Sequence, residues 1–234
     1  MIEVAVLNPE GIIEAEKAML AAARLTQRGH KIANMDDFLK IYNKPLDKEL
    51  VRKLCKLPHV TLQKFGVINV MVTGLSRRAL AQLTRHQNEV KFMAGSLQYS
   101  TYSNASYIIP EELTPEQKKK VESLYNDISG LYKDLIEEGA GPDTAGYIMP
   151  QGFRTSLLIS ATPYQLKHMI GQRTCRRNTP EVKYIMIKIW EALMTVAPEL
   201  FEDAGPACMK GPCPEGYMSC GEPIKELTNE DKTY

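Results

Sequence analysis

The hydrophobic pattern of this chain begins with a strand-like segment followed by helix-like segments. Residues 2–7 form a short apolar run typical of a β-strand. Apolar residues then recur every three or four positions, which predicts a helix that ends near Gly29. A similar spacing between residues 46 and 57 predicts a second helix. The apolar positions are Ile12, Ala15, Met19 and Ala22 in the first helix, and Leu46, Leu50, Val51, Leu54 and Leu57 in the second.

The middle of the chain has the pattern of a strand followed by an amphipathic helix. The apolar run 67–72 predicts the strand, and Gly74 predicts a turn after it. Ser76 is a suitable N-cap for a helix over residues 75–86. The apolar face of that helix consists of Leu75, Ala79 and Leu83. An irregular stretch rich in serine and tyrosine follows over residues 96–107.

The second half of the chain adds three helices and one strand. Residues 114–117 (Thr-Pro-Glu-Gln) are a capping box with proline at the first helical position, and their helix should run to about Gly139. Residues 153–161 predict a strand, and residues 163–173 predict a helix that begins at a proline. Residues 179–181 (Thr-Pro-Glu) repeat the capping pattern before a further apolar helix.

These elements predict a single α+β unit, with a domain over residues 1–203 and a Gly/Pro/Cys-rich tail over residues 204–234. A length of 234 residues is ample for one core. The net charge of +1 gives no reason to expect a nucleic-acid partner. No apolar run is long enough to span a membrane, and the N-terminus does not resemble a signal peptide, so we expect no membrane partner and a cytoplasmic protein.

Polar residues on the 75–86 helix suggest a binding site. Arg78, Gln82 and Arg85 recur at i, i+4 and i+7, with His86 beside them. Two guanidinium groups and a carboxamide near a helix end can bind an anion or a flat heterocycle. The spacing alone also fits a solvated polar face, which is the commoner arrangement.

The five cysteines, an odd number, argue against a disulfide framework. Cys208, Cys213 and Cys220 in the tail, with Cys175 as a candidate fourth ligand, could bind zinc through thiolates. Their spacing lacks a C-x-x-C pair, so reduced structural cysteines are the favoured interpretation and no metal is expected. The chain has neither a G-x-G-x-x-G motif after a strand nor a P-loop, which excludes the usual nucleotide-binding loops.

Several segments resemble the flavin-dependent thymidylate synthases, the ThyX family. Residues 74–86 (GLSRRALAQLTRH) followed by residues 96–100 (SLQYS) resemble the family signature, in which an Arg-His-Arg triplet precedes a serine by seven or eight residues. Eight residues separate Gln87, the third triplet position, from Ser96. Further similar segments are residues 22–26, residues 59–61, residues 168–173 with residues 181–182, and the tail.

The resemblance implies a ThyX-like fold, with a central, mostly antiparallel sheet and long helices, in a homotetramer whose active sites form between subunits. It implies FAD as cofactor, with NADPH and methylenetetrahydrofolate as co-substrates. The implied reaction is the reductive methylation of dUMP to dTMP, in which the hydride and the one-carbon unit pass through flavin chemistry rather than through a protein thiol.

The resemblance also assigns residue roles. Arg173 would lie against the pyrimidine and stabilise negative charge on its oxygens, Ser96 would orient the ring through hydrogen bonds, and Arg85 would contact both flavin and nucleotide. These three are the expected catalytic residues. The implied flavin contacts are Thr26, His59, Thr61, Arg85, His86 and Gln87. The implied nucleotide contacts are Gln82, Arg85, Ser96, Leu97, Gln98, Tyr99 and Arg173.

Some family positions carry other residues here. Gln98 and Gly146 stand where the family has arginines that contact the phosphate, and each charge-assisted contact of that kind contributes about 1.5–3 kcal/mol. Lys64, Gln87 and Ala94 are further replacements. Three interpretations therefore stay open: a dTMP synthase, a ThyX-fold flavoenzyme for another pyrimidine nucleotide or nucleoside, and a non-catalytic ThyX paralogue.

Overall fold

A computed structural model, which describes residues 1–228, contains one sheet of four antiparallel strands. The strands are β1 (Glu3–Val6), β2 (Ile68–Ser76), β3 (Val90–Ala94) and β4 (Arg154–Ala161). Their order across the sheet is β1-β2-β4-β3, and each neighbouring pair is antiparallel. The predicted α+β class with a central antiparallel sheet is confirmed.

Nine α-helices surround the sheet within residues 1–228. They are α1 (Pro9–Arg28), α2 (Met35–Tyr42), α3 (Lys48–Cys55), α4 (Arg77–Leu83), α5 (Pro115–Glu137), α6 (Pro142–Ala145), α7 (Pro163–Arg173), α8 (Pro180–Val196) and α9 (Pro198–Phe201). Short 3-10 helices cover Gly29–Lys31, Val60–Lys64, Gly146–Ile148, Ala207–Met209 and Gly216–Met218. A membrane-crossing helix, long and apolar enough for the purpose, is absent from this part of the chain.

The core lies between one face of the sheet and the helices packed on it. Alternate residues of β2 and β4 are buried, as expected of strands with one face covered. Helix α8 packs on β1 and β2, and α1 packs on β2. The tail joins the same core through Ile224 and Leu227. The division at residue 203 stays a prediction, and residues 229–234 of the predicted tail lie outside the described residues.

The predicted turn at Gly74 is wrong, because β2 continues through it as a β-bulge. The register against β4 shifts between Thr73 and Leu75, and Gly74 has a φ of +74°. A Cβ atom there would lie 2.5 Å from the backbone oxygen of Met1, so only glycine fits without movement. The bulge leaves two successive residues, Leu75 and Ser76, buried on the way into α4.

Helix α4 is shorter than the predicted helix over residues 75–86. It begins after the cap at Ser76 and ends at Leu83, where the His86 N–H donates to the Leu83 carbonyl in a tighter turn. Arg85 and His86 therefore follow the helix instead of lying on its face, which changes where their side chains can reach.

Helix α2 and strand β3 were not predicted, although the sequence contains weak signals for both, and neither were the four-residue helices α6 and α9 or the 3-10 helices. Asn34 caps α2 by accepting a hydrogen bond from the Asp37 N–H. In β3, half-buried residues alternate with the exposed Lys91 and Met93 over only five positions. The predicted capping box at the start of α5 and the predicted bounds of α7 are confirmed.

Candidate functional site

The N-terminus of α4 is held by a carboxylate from α8. The Ser76 Oγ accepts a hydrogen bond from the Ala79 N–H at 3.0 Å and so caps α4 as predicted. The same hydroxyl donates to Glu181 at 2.6 Å, and the Ser76 N–H donates to the other Glu181 oxygen at 2.7 Å. Ser76 is buried. These charge-assisted bonds fix the position of α4 relative to α8.

Thr179 does not cap α8 with its side chain, contrary to the prediction. Its hydroxyl instead donates to the Gln82 side-chain oxygen at 3.1 Å. This contact forms because Gln82 is at the C-terminal end of α4, beside the first turn of α8. The contact leaves the Gln82 amide N–H groups available to donate to a ligand.

Arg173, the last residue of α7, is anchored by two acceptors. Its Nε–H donates to His86 Nε2 at 2.9 Å, and its Nη2 donates to the Gln82 backbone carbonyl at 2.9 Å. A guanidinium has five N–H groups, so three remain for a ligand. The structure therefore brings Arg173, His86 and Gln82 together, as the resemblance implies, and Arg85 is close enough to influence Arg173 electrostatically.

His86 is held in its neutral form. Burial lowers the pKa of His86 to about 4, with further contributions from the charge of Arg173 and from His168, whose ring lies edge-on at 5.9 Å. A neutral imidazole has an unprotonated nitrogen, as the bond from Arg173 to Nε2 requires. Burial and the charge of Arg85 also lower the pKa of Arg173. The guanidinium nevertheless stays charged, because the ordinary pKa of arginine is very high.

We expect the depressed pKa of His86 to appear both in its titration and in stability. Between about pH 6.5 and pH 4 the unfolded chain binds more protons at this position than the folded chain, so the free energy of unfolding falls as the pH falls through that window. Histidine NMR should show one of the four imidazoles neutral down to about pH 4. In Arg173→Ala the pKa of His86 should rise. A His86 that titrates near pH 6.5 in the native protein would contradict the arrangement.

The loop after β3 carries Ser96 beside the N-terminus of α4. The Ser96 Oγ accepts hydrogen bonds from the N–H groups of Gln98, at 3.1 Å, and Tyr99, at 3.4 Å. Because the oxygen is the acceptor in both, the hydroxyl proton remains free to donate. Arg77 Nη1 donates to the Gly95 carbonyl at 3.2 Å, which places a guanidinium next to Ser96. Arg77 and Gln82 are separated by about 7.5 Å along α4.

Gly146 is buried beneath this loop. A Cβ atom at Gly146 would lie 3.2 Å from the Cβ of Leu97, which is tighter than ordinary contact. An arginine therefore does not fit at position 146 unless Leu97 moves. Gln98 and Tyr99, by contrast, are exposed. Leu97 is thus a packing residue against Gly146 within this chain.

The remaining predicted flavin contacts, Thr26, His59, Thr61 and Gln87, are exposed. Thr26 is near the end of α1, where its hydroxyl donates to the Ala23 carbonyl at 2.8 Å. His59 and Thr61 lie at the start of the 3-10 helix Val60–Lys64, and Gln87 follows His86. Among residues 1–228 none of these four side chains bonds to Arg173 or Ser96.

An open cavity of about 1140 Å³ extends from Arg173 to the segment around His59. It is lined by His168 and Arg173 of α7, by Pro58 and Val60 on either side of His59, and by residues 204–208 of the tail. Its size is typical of a site for a cofactor or a large ligand. Arg173 therefore faces space in which a ligand can reach the neighbourhood of His59.

No site role was predicted for four contributors, Arg77, His168, Thr179 and Glu181, although His168 and Glu181 lie in segments that resemble the family. The sequence signal for Arg77 is its place at the first position of α4, directly after the cap. The partners of Thr179 and Glu181 lie about a hundred positions away in the chain, so no local pattern contains those contacts.

Most of this chain is similar to one known protein family. The model of the family described as "Thymidylate synthase complementing protein" matches residues 11–199. The flavin-dependent thymidylate synthase of Geobacter sulfurreducens is 26% identical over 223 residues, which cover 93% of this chain and 94% of that protein. The enzyme of the same name from Clostridium tetani is 24% identical over 225 residues, which cover 88% and 89% of the two chains.

A solved structure has the same fold. The crystal structure of thymidylate synthase X from Helicobacter pylori with FAD and dUMP superposes with a TM-score of 0.62 at 19% identity, over 87% of this chain and 99% of that one. At that identity the likeness concerns the fold. The family match spans most of the sequence, and the chain therefore belongs to the thymidylate synthase complementing protein family, ThyX.

Proposed function

We propose that this chain is a flavin-dependent thymidylate synthase. It would convert dUMP to dTMP with FAD as cofactor, methylenetetrahydrofolate as carbon donor and NADPH as reductant. The names of the relatives from Geobacter sulfurreducens and Clostridium tetani and the FAD and dUMP in the Helicobacter pylori structure support this proposal.

The observation that carries the proposal is the anchored guanidinium of Arg173. With two N–H groups bound to His86 and Gln82, the remaining three can face the ring oxygens of a pyrimidine. Because the group is fixed before substrate binds, it can stabilise negative charge that builds on those oxygens without reorganising. The free N–H groups of the Gln82 side chain suit the same polar ring edge.

Ser96 has a complementary role in the proposal. Its hydroxyl accepts from two backbone N–H groups and keeps its proton to donate, so it suits orientation of the pyrimidine and needs no role as a nucleophile. The nearby guanidinium of Arg77, which the sequence did not single out, is the cation best placed to meet a 5′-phosphate bound at this loop.

The residues present fit a flavin. Arg85 is exposed and forms neither a hydrogen bond nor an ion pair with residues 1–228, so its charge is available to an anionic cofactor. The neutral imidazole of His86 is buried and holds Arg173, which lines the cavity. When bound, FAD supplies the hydride that reduces the transferred one-carbon unit to a methyl group. We propose that Thr26, His59, Thr61 and Gln87 line the rest of its site.

The test is a visible difference spectrum of the FAD-loaded protein during titration with dUMP. A saturable shift, followed by dTMP formation with methylenetetrahydrofolate and NADPH, is the expected result. Bound flavin whose spectrum is indifferent to dUMP would favour a changed substrate. A protein that binds no FAD would be a non-catalytic paralogue, and the proposal would be wrong.

A second candidate is the same flavin chemistry on a pyrimidine without a 5′-phosphate. The observation that favours it is that four candidate cations for a phosphate already have other partners. Lys64 is paired with Glu89, Arg154 donates to the Gly74 and Tyr107 carbonyls, and Arg176 and Arg177 bind the tail. Deoxyuridine in place of dUMP in the same titration separates the two candidates.

We expect Gln98→Arg to tighten dUMP binding by about tenfold or more, since a new charge-assisted phosphate contact contributes roughly 1.5–3 kcal/mol. Position 98 is exposed, so an arginine fits there. Isothermal titration gives the Kd, and Gln98→Met is the control of similar size without charge. Binding of deoxyuridine should not change. Equal dUMP affinity in both variants would show that position 98 does not face the phosphate.

We also propose that the sites are shared between subunits of a homotetramer. Met93, Tyr99 and Tyr147 are 72%, 81% and 88% exposed around the Ser96 loop, which is unusual for large apolar side chains beside a site. A second copy of this chain would cover them and bring the exposed His59 and Thr61 of one subunit to another. Analytical ultracentrifugation of wild type and Met93→Glu tests this, and a monomeric wild type would contradict it.

A further inference from the structure

Among residues 1–228, Glu89 is the one residue other than glycine that has a positive φ. Its φ of +54° lies in the left-handed region, which residues with a Cβ atom rarely adopt. The Glu89 carbonyl accepts a hydrogen bond from the Thr162 N–H at 3.2 Å, just before the first residue pair of β3 and β4. Such a conformation persists where surrounding contacts hold it, and it indicates a role beyond local backbone structure.

The Glu89 carboxylate connects two other segments of the chain. Its Oε1 accepts a hydrogen bond from Lys64 Nζ at 2.7 Å, and its Oε2 accepts one from the Thr162 hydroxyl at 3.0 Å. The bond from Lys64, with a smaller effect of Thr162, holds the pKa of the Glu89 carboxyl below its ordinary value. The carboxylate is therefore ionised near neutral pH, and both of its oxygens are engaged.

Lys64 connects Glu89 to a segment that carries a proposed flavin contact. It is the last residue of the 3-10 helix Val60–Lys64, which contains Thr61. Its ammonium group also lies 4.8 Å from the centre of the Tyr164 ring, within the range of a cation–π contact. Tyr164 belongs to the first turn of α7 and lines the large cavity. The 3-10 helix is thereby fixed against both Glu89 and α7.

Thr162 connects Glu89 to the start of α7. Its hydroxyl oxygen caps that helix by accepting a hydrogen bond from the Gln165 N–H at 3.2 Å, while its proton is donated to Glu89. The helix ends at Arg173, whose guanidinium meets the pyrimidine in the proposed function. Glu89 is itself three residues beyond His86, which holds Arg173. One carboxylate therefore meets three segments of the candidate site.

We propose that Glu89 is a positioning residue for the flavin, which through Lys64 and Thr162 fixes the three segments that surround the cofactor. This inference rests on the proposed function. Lys64 is a position at which the chain departs from the family pattern, and Glu89 supplies its counter-charge. Because the flavin must meet all three segments at once, loss of the carboxylate lowers the fraction of protein with an assembled site, and the apparent FAD affinity falls with it.

An ordinary surface ion pair would have a different effect. The side chains of Glu89 and Lys64 are 31% and 35% exposed, and pairs with that exposure contribute little to stability. We therefore expect the effect of Glu89 in cofactor affinity and not in the unfolding midpoint of the flavin-free protein. These two measurements distinguish a positioning residue from a merely stabilising one.

The experiment titrates FAD into full-length protein freed of flavin and follows flavin fluorescence. Glu89→Gln removes the charge and should raise the Kd for FAD at least about tenfold, with kcat at saturating FAD within about twofold of wild type. Glu89→Gly adopts a positive φ without strain and should lose at least as much affinity, because it lacks the carboxylate. Glu137→Gln, from the exposed pair with Lys133 on α5, is the matched control and should bind FAD like wild type.

Exchange of the two charges tests the pair itself. Lys64→Glu and Glu89→Lys each place like charges side by side and should weaken FAD binding, whereas the double variant restores an ion pair and should bind FAD more tightly than either. That recovery would not occur if each residue simply contacted the flavin by itself.

Two results would overturn the inference while the wild type still binds FAD. One is a wild-type Kd in both Glu89→Gln and Glu89→Gly, and the other is a double charge exchange that binds no better than its single variants. An unfolding midpoint that falls in proportion to the lost affinity would make Glu89 a stabilising residue and overturn the inference as well. Failure of the proposed function is distinct, because it appears as a wild type that binds no FAD.

Discussion

Replacing Arg173 by alanine should lower the rate of dTMP formation by about two to three orders of magnitude or more, with most of the loss in kcat. The variant loses a fixed guanidinium directed at the site, and removal of one such donor from an enzyme costs about 10²–10³ in rate. The fold should survive, because Arg173 is the last residue of α7, is half-buried and lines an open cavity, so its truncation leaves no void in the core.

Two further arginine variants make this test specific. Arg173→Lys keeps the charge, but an ammonium group cannot hold both anchors and still present several N–H groups to a ring, so we expect a large partial loss. Arg28→Ala removes an exposed guanidinium at the end of α1 and should turn over like wild type. Turnover is read at saturating dUMP and compared with the thermal unfolding midpoint. An active Arg173→Ala would remove Arg173 from the mechanism.

Glu181→Ala should lower the free energy of unfolding by about 3 kcal/mol, because hydrogen bonds to charged groups contribute roughly 1.5–3 kcal/mol each and two are lost. The Ser76 N–H would be left buried without its partner. In a chain of this size the unfolding midpoint should fall by roughly 6–12 °C. Turnover should fall as well, because α4 carries Gln82 and leads to His86.

A double-mutant cycle tests whether the contact itself is responsible. Ser76→Ala removes the α4 cap and one of the two bonds to Glu181, and the losses of Ser76→Ala and Glu181→Ala should add to more than the loss of the double variant. Glu181→Gln keeps the shape with a weaker acceptor and should lie between wild type and Glu181→Ala. Strictly additive losses would show that Ser76 and Glu181 act separately.

Local sequence signals predicted much of the framework correctly. The capping box at Thr114, the proline that opens α7 and the N-cap at Ser76 are each complete within four residues, so they act in the unfolded chain much as in the folded one. The same reasoning failed at Gly74. A glycine with positive φ serves a turn and a bulge equally well, and the choice depends on how β2 pairs with β4.

The features of the candidate site also divide into those that the sequence predicts and those that depend on the tertiary structure. Its residue types, including Arg173, Ser96 and the sequence around His86, were apparent from the sequence because the family resemblance is local. The low pKa of His86 was not apparent from the sequence, because it depends on burial and on the charge of Arg173, which is 87 positions away. The lack of room for an arginine side chain at position 146, where the family has a phosphate contact, likewise depends on Leu97, which packs against Gly146.

The sequence by itself determined the fold class, the main helix starts and the family, because capping, periodicity and motif spacing are properties of neighbouring residues. Only the tertiary structure decided that Thr179 holds Gln82 and that Glu181 holds Ser76. Those contacts form where chain segments far apart in sequence pack together, and the packing of the whole core sets their geometry.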